Sequence, residues 1–179
     1  MSRLALSPLL AVLALVGACG QTPAEPDPAE TLDIAVAAGD PDIAATAQWS
    51  VGGSTVVSTV AALTVRNGFI TVRFESGTGN ALQVIVPTRA GDIAITGTGL
   101  TSDEASVRIT RAGVSSPLVG SISVGRVRLR NDDGRDVIVE LDIDLRGATL
   151  TGVGSVTGSG TACLDRHPTV ACGDDPPQS

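Results

Sequence analysis

Residues 59–75 run as two stretches of alternating apolar and polar side chains on either side of Asn67-Gly68. Asn-Gly accepts positive φ at both central positions of a two-residue turn, so the dipeptide specifies a tight hairpin. Closing that turn sets Val65 opposite Ile70, Leu63 opposite Val72 and Ala61 opposite Phe74 on one face. Ala62, Thr64, Thr71 and Arg73 fall on the other. Because successive side chains of a strand point to opposite faces, a slip by one residue would expose the whole apolar set. A register taken from the turn alone that also sorts apolar from polar residues therefore constrains the fold more than any other feature of the chain.

The same alternation fills residues 31–163, and no long window repeats apolar residues at helical spacing. A second hairpin is expected within residues 120–146. Val137, Val139, Leu141, Ile143 and Leu145 point one way, while Asp136, Glu140, Asp142, Asp144 and Arg146 point the other. Asn131-Asp132-Asp133-Gly134 suits a three-residue loop with Gly134 in the left-handed region. That register places Arg130 opposite Asp136 and Arg126 opposite Glu140 on the solvent face, with Val127 and Leu129 inward. Further strands are predicted over 32–37, 45–51, 81–86, 92–96, 104–111 and 148–157. Turns are expected at Gly39-Asp40-Pro41, Gly77-Thr78-Gly79-Asn80, Arg89-Ala90-Gly91-Asp92, Gly97-Thr98-Gly99 and Ser115-Ser116-Pro117. The fold class is all-β, an antiparallel β-sandwich of about eight to ten short strands, with a closed or partly open barrel as the alternative. The aromatic residues are Trp49, Phe69 and Phe74 alone, so the interior must be built from Val, Ile, Leu and Ala.

There are 19 acidic residues against 12 basic ones, all of them Arg, for a net charge of -7. Binding to nucleic acid draws on a basic stripe that displaces counterions from phosphates, and this chain has none.

The N-terminal region has a different character. Arg3 precedes an apolar run from Leu4 to Val16 broken only by Ser7 and Pro8, shorter than the ~20 residues a membrane-spanning helix needs but of signal-peptide length. It ends in Val16-Gly17-Ala18-Cys19, which resembles the lipobox of bacterial lipoproteins: an aliphatic residue, two small ones, and the cysteine that is acylated and becomes the N-terminus. The resemblance implies lipidation at Cys19, palmitate among the acyl chains, and location in the cell envelope. Gly20 stands where an Asp would signal retention at the inner membrane, which points to the outer membrane. Residues 21–30 hold three prolines and three acidic residues and read as an extended tether at ~3.1 Å per residue. The organisation expected is a signal peptide over 1–18, a lipidated cysteine and Pro-rich tether over 19–30, a β-sandwich domain over 31–163, and a tail over 164–179. Gly120-Ser121-Ile122-Ser123-Val124 and Leu150-Thr151-Gly152-Val153-Gly154, followed by a cysteine at the end of a strand, also resemble a layout found in small all-β lipoproteins of high-GC Gram-negative bacteria, myxobacteria among them. That resemblance implies no particular activity.

With Cys19 acylated, Cys163 and Cys172 remain as an even pair in an oxidising compartment, and a disulfide tying the tail to the last strand is expected. Cys163, His167, Cys172 and Asp174 could instead ligate a metal, but the paired short spacings of zinc sites are missing, so no metal or other cofactor is expected. His167 is the only histidine, and no nucleophile motif accompanies it. Glu140, Asp142 and Asp144 read as the wet face of a strand, and Asn131-Asp132-Asp133-Gly134 as turn chemistry. Trp49 is expected in the core or at a sheet edge. Together these features suggest a membrane-anchored, non-catalytic interaction or structural module meeting an envelope protein or a polysaccharide. The alternative is a lipocalin-like carrier of a small apolar ligand.

Overall fold

The computed structural model describes residues 32–96, 101–131, 137–166 and 171–173. Among these there is no helix, and eleven strands form one strongly curled sheet, a half-barrel. In chain order they are β1 (Ile34–Val36), β2 (Ile43–Val51), β3 (Ser54–Ser58), β4 (Val60–Arg66), β5 (Phe69–Glu75) and β6 (Ala81–Pro87). There follow β7 (Gly91–Ile95), β8 (Glu104–Arg111), β9 (Val114–Asn131), β10 (Val137–Leu150) and β11 (Gly154–Asp165). The order across the sheet is β1-β4-β5-β6-β8-β7-β9-β10-β11-β2-β3. Every pairing is antiparallel except a short parallel contact between β7 and β8. The all-β expectation holds, and the continuous strand order gives it the form of a partly open barrel.

The β4–β5 hairpin has the register that its turn dictates: Val65↔Ile70, Leu63↔Val72 and Ala61↔Phe74. Asn67 and Gly68 take φ of 51° and 74°, the primed turn whose twist matches that of the strands it joins. The turns at Gly39, Gly79 and Gly91 also stand where expected, whereas Gly97-Thr98-Gly99 lies outside the described residues.

Three expectations are corrected. In the β9–β10 hairpin Arg128, not Arg126, lies opposite Glu140, and Arg126 lies opposite Asp142. Asn131 pairs with Val137, so the connection is longer than a three-residue loop and the register moves by two residues, which preserves the faces. Residues 148–157 are not one strand: β10 ends at Leu150, the chain turns, and β11 begins at Gly154. Gly152 and Gly154 take the positive φ that this reversal requires. Ser115, Ser116 and Pro117 are strand residues of β9, and the reversal after β8 falls instead at Ala112-Gly113, both at positive φ. The short β3, absent from the expected strands, follows a turn at Gly52-Gly53.

β9 makes the curl possible. It pairs with β8 over Val114 to Pro117, with β7 around Ile122, and with β10 at Leu118 and Val119 and again from Ser123 to Asn131. At the bend Gly120 lies so close to β10 that an added Cβ would fall 2.1 Å from the Gly147 carbonyl oxygen. Only glycine fits there.

The curl wraps around an aliphatic interior. Leu63, Val65, Ile70, Val72, Phe74, Leu82, Val84 and Val107 from one half are buried against Ile122, Val139, Leu141, Leu145, Val156 and Leu164 from the other. Each such side chain contributes about 1.5–3 kcal/mol on burial. Trp49 is 1% exposed, in the core as expected. β11 accommodates it by using glycine: a Cβ at Gly158 would meet that of Trp49 at 2.8 Å, and one at Gly160 would meet the Phe74 ring at 3.1 Å. Where β3 passes to β4, the buried Ser58 hydroxyl lies 3.0 Å from the Val60 carbonyl and 2.5 Å from that of Glu75, which satisfies a polar group inside the wall.

Candidate functional site

Alternation along β10 and β11 sends Glu140, Asp142 and Asp144 outward beside Cys163, Thr161 and Ser159. Asp142 and Asp144 are partly exposed, as a wet face requires, but Glu140 is only 5% exposed. This corrects the expectation of a uniformly solvated acidic strip. The cause is tertiary: residues 171–173 return across this corner, and the Gly173 N–H donates to Glu140 Oε1. Cys172 meets Cys163 as a disulfide pair, with Cα atoms 6.3 Å apart, within the range such a bridge spans. Ile138, on the same outward side of β10, is buried as well and does not belong to the interior cluster.

The carboxylate is held from β9. Arg126 Nη1 is 3.7 Å and Arg128 Nη1 3.9 Å from Glu140 Oε2, an oxygen that accepts no hydrogen bond. Two guanidinium groups and one backbone N–H thus compensate a nearly desolvated charge, and removing it would leave the Gly173 N–H without its acceptor. The Glu140 carboxylate and the sulfurs of Cys163 and Cys172 lie within 4.8 Å of one another, close enough to share a metal ion. Sulfurs joined in a disulfide offer no thiolate, however, and two arginines already occupy the electrostatic environment of the carboxylate. The chemistry of this corner is closure of the tail onto the sheet. Just past the same end of β11, Arg166 pairs with Asp40 at 3.1 Å and Asp42 at 2.8 Å, fastening the strand to the β1–β2 turn.

Beyond the corner, a shallow trough follows the outer face of β11. Its first cavity, about 570 Å³, reaches from Cys172 and Glu140 to Thr161, and a second of about 370 Å³ continues through Thr46, Gln48 and Ser159. Thr46, Gln48, Asp142, Ser159 and Thr161 line the trough together with apolar side chains, among them Ile43, Ala45 and Val57. A separate cavity of about 480 Å³ opens at the rim of the half-barrel, with Trp49 and Arg111 among its lining residues. Sequence reading missed Arg111, although its place in the inward series Ala105, Val107, Ile109, Arg111 was available.

Cys19 and the rest of the lipobox, His167, Asp174 and most of Asn131-Asp132-Asp133-Gly134 lie outside the described residues. No helix among the described residues is long and apolar enough to cross a membrane. No family model, curated protein or solved structure matches the chain.

Proposed function

We propose that this chain is an envelope lipoprotein, anchored through acyl groups on Cys19, whose β body serves as a non-catalytic interaction or structural module. The observation that carries the reading is Val16-Gly17-Ala18-Cys19 at the end of an apolar run of signal-peptide length, followed by a proline-rich spacer. More than one acyl chain on that cysteine gives stable anchoring where one would be marginal. The outer membrane is the favoured location because Gly20 gives no retention signal.

The interior supports a module over a carrier. A lipocalin-like carrier needs an apolar chamber of ~300 Å³ or more inside its barrel, whereas the inward positions here are filled by packed side chains. The trough along β11, with its hydroxyl, amide and carboxylate groups, is the surface offered to an envelope protein or polysaccharide. A non-catalytic role agrees with the state of Glu140, the one buried carboxylate among the described residues, which is held by Arg126, Arg128 and Gly173. Replacing Cys19→Ser is expected to move the protein from the membrane fraction to the soluble fraction of the cell. Retention of the variant in the membrane fraction would refute the anchor.

A further inference from the structure

The curled sheet has two edges, and they are guarded differently. β1 is three residues long, and beside it Asp33 pairs with Arg66 at 3.8 Å; short length and flanking charge both discourage a further strand. β3 carries neither a charge nor a proline. Gly52 and Gly53, at φ 56° and 80°, close a two-residue turn that makes Val51 and Ser54 a hydrogen-bonded pair. Bonded and non-bonded pairs alternate along an antiparallel ladder, so Ser54, Val56 and Ser58 exchange bonds with β2, while the N–H and C=O groups of Thr55 and Val57 point away from it. Among the described residues no group hydrogen-bonds to that side of Thr55 and Val57.

This free edge opens into the rim cavity. About 480 Å³ lies between Thr55, Val56 and Val57 of β3 and Gly77, Thr78 and Asn80 of the β5–β6 turn. The turn is a fixed wall, because its polar groups satisfy one another: Asn80 Nδ2 donates to Thr78 Oγ1 at 2.8 Å, and the Ser76 N–H donates to the Asn80 carbonyl at 2.9 Å. Arg111 is the only charged residue that lines the slot, and Val57 stands 61% exposed at its mouth. The body begins at β1, whose Ile34 pairs with Val65 beside the β4–β5 turn, so the slot opens at the other end of β5 from the N-terminal segment. Residues 21–30 and 174–179 of the chain itself are poor occupants, since they hold Pro23, Pro26 and Pro28, and Pro176 and Pro177, and proline cannot donate to a ladder.

We infer that this slot takes an extended, uncharged segment of another polypeptide, which adds to β3 as a further strand. Its backbone meets the outward N–H and C=O groups of Thr55 and Val57, which supply affinity, and an apolar side chain of the segment covers Val57. A volume of this size holds a short extended peptide and excludes a folded domain. The β3 strand of a second copy is tied into its own sheet and cannot enter between β3 and the turn. The inference stands apart from the anchor and from the trough along β11, since it requires only the folded β body.

The probe is a short peptide of alternating threonine and valine, acetylated and amidated at its ends, titrated into the full chain by calorimetry. Saturable binding is expected, with slowed hydrogen exchange at the Thr55 and Val57 amides and no change at Val56, whose N–H already bonds to β2. The same peptide with its valine amides N-methylated loses the donors of one edge and should bind about tenfold or more weakly. Val57→Pro removes an N–H that has no partner in the free protein, a place where an edge strand tolerates proline. It should leave the urea midpoint near that of the parent and weaken peptide binding about tenfold or more, whereas Val57→Thr should keep the affinity within a few-fold. No saturable binding, equal affinity for the N-methylated peptide, or undiminished binding by Val57→Pro would each overturn the assignment. So would a dimer of the free chain in sedimentation that Val57→Pro abolishes, since the edge would then belong to a second copy. Should Val57→Pro fail to fold, the comparison of the two peptides on the unaltered chain decides the matter.

Discussion

Gly160 sits inward on β11, with Ala47 and the Phe74 ring in the space a side chain would fill. Glycine is usually weak in a strand because it adds no packing and loses more backbone entropy. Here the missing side chain is the room into which a large ring inserts. Gly160→Val should therefore destabilise the fold by about 1–3 kcal/mol through overpacking, read as a lower urea midpoint with little change in slope. Glu140 makes the opposite case, a charge in a place that normally excludes one. Glu140→Ala should cost about 1–3 kcal/mol, because Arg128 and the Gly173 N–H lose the group that compensates them. Asp142→Ala, two residues along the same strand, should stay within about 0.5 kcal/mol. Equal effects in a paired urea titration would mean that Glu140 is as solvated as its neighbour. Its outward direction was readable from alternation alone; its burial was not, because the cover comes from residues 171–173, far away in sequence and joined by no local periodicity.

Among the elements, the β4–β5 hairpin was legible to the residue pair because its two-residue turn permits one register. Gly68→Val should cost about 1–2 kcal/mol, since a β-branched residue is forced into the left-handed region at φ 74°, and thermal unfolding of the variant against the parent measures it. The β9–β10 pair shows where the same logic weakens. Its connection is longer, longer loops accept several registers, and the true pairing lies two residues from the expected one. The reversal between β10 and β11 was hidden for another reason: the β-branched Thr151 and Val153 keep a strand-like composition through the turn, and the positive φ at Gly152 and Gly154 marks the break. β3 escaped notice because Gly52-Gly53 stands between short runs whose apolar content is modest.

At the scale of the molecule, composition announced an all-strand body with an aliphatic interior, and the structure adds how that body closes. One sheet curls until β2 lies over β4 and β5, with the bend placed in β9 by Gly120 and its approach to Gly147. Such long-range closure depends on the path of the whole sheet, so strand patterns could not separate sandwich from barrel. With the interior filled, the trough along β11 and the rim cavity beside Trp49 are concavities on the outside of the body. The place in the cell envelope proposed above rests on Cys19. Intact-mass analysis of the protein extracted from membranes tests this most directly. The account predicts a polypeptide that begins at Cys19 and carries fatty acyl mass on that residue; a chain that begins elsewhere, or whose Cys19 bears no acyl group, would contradict it.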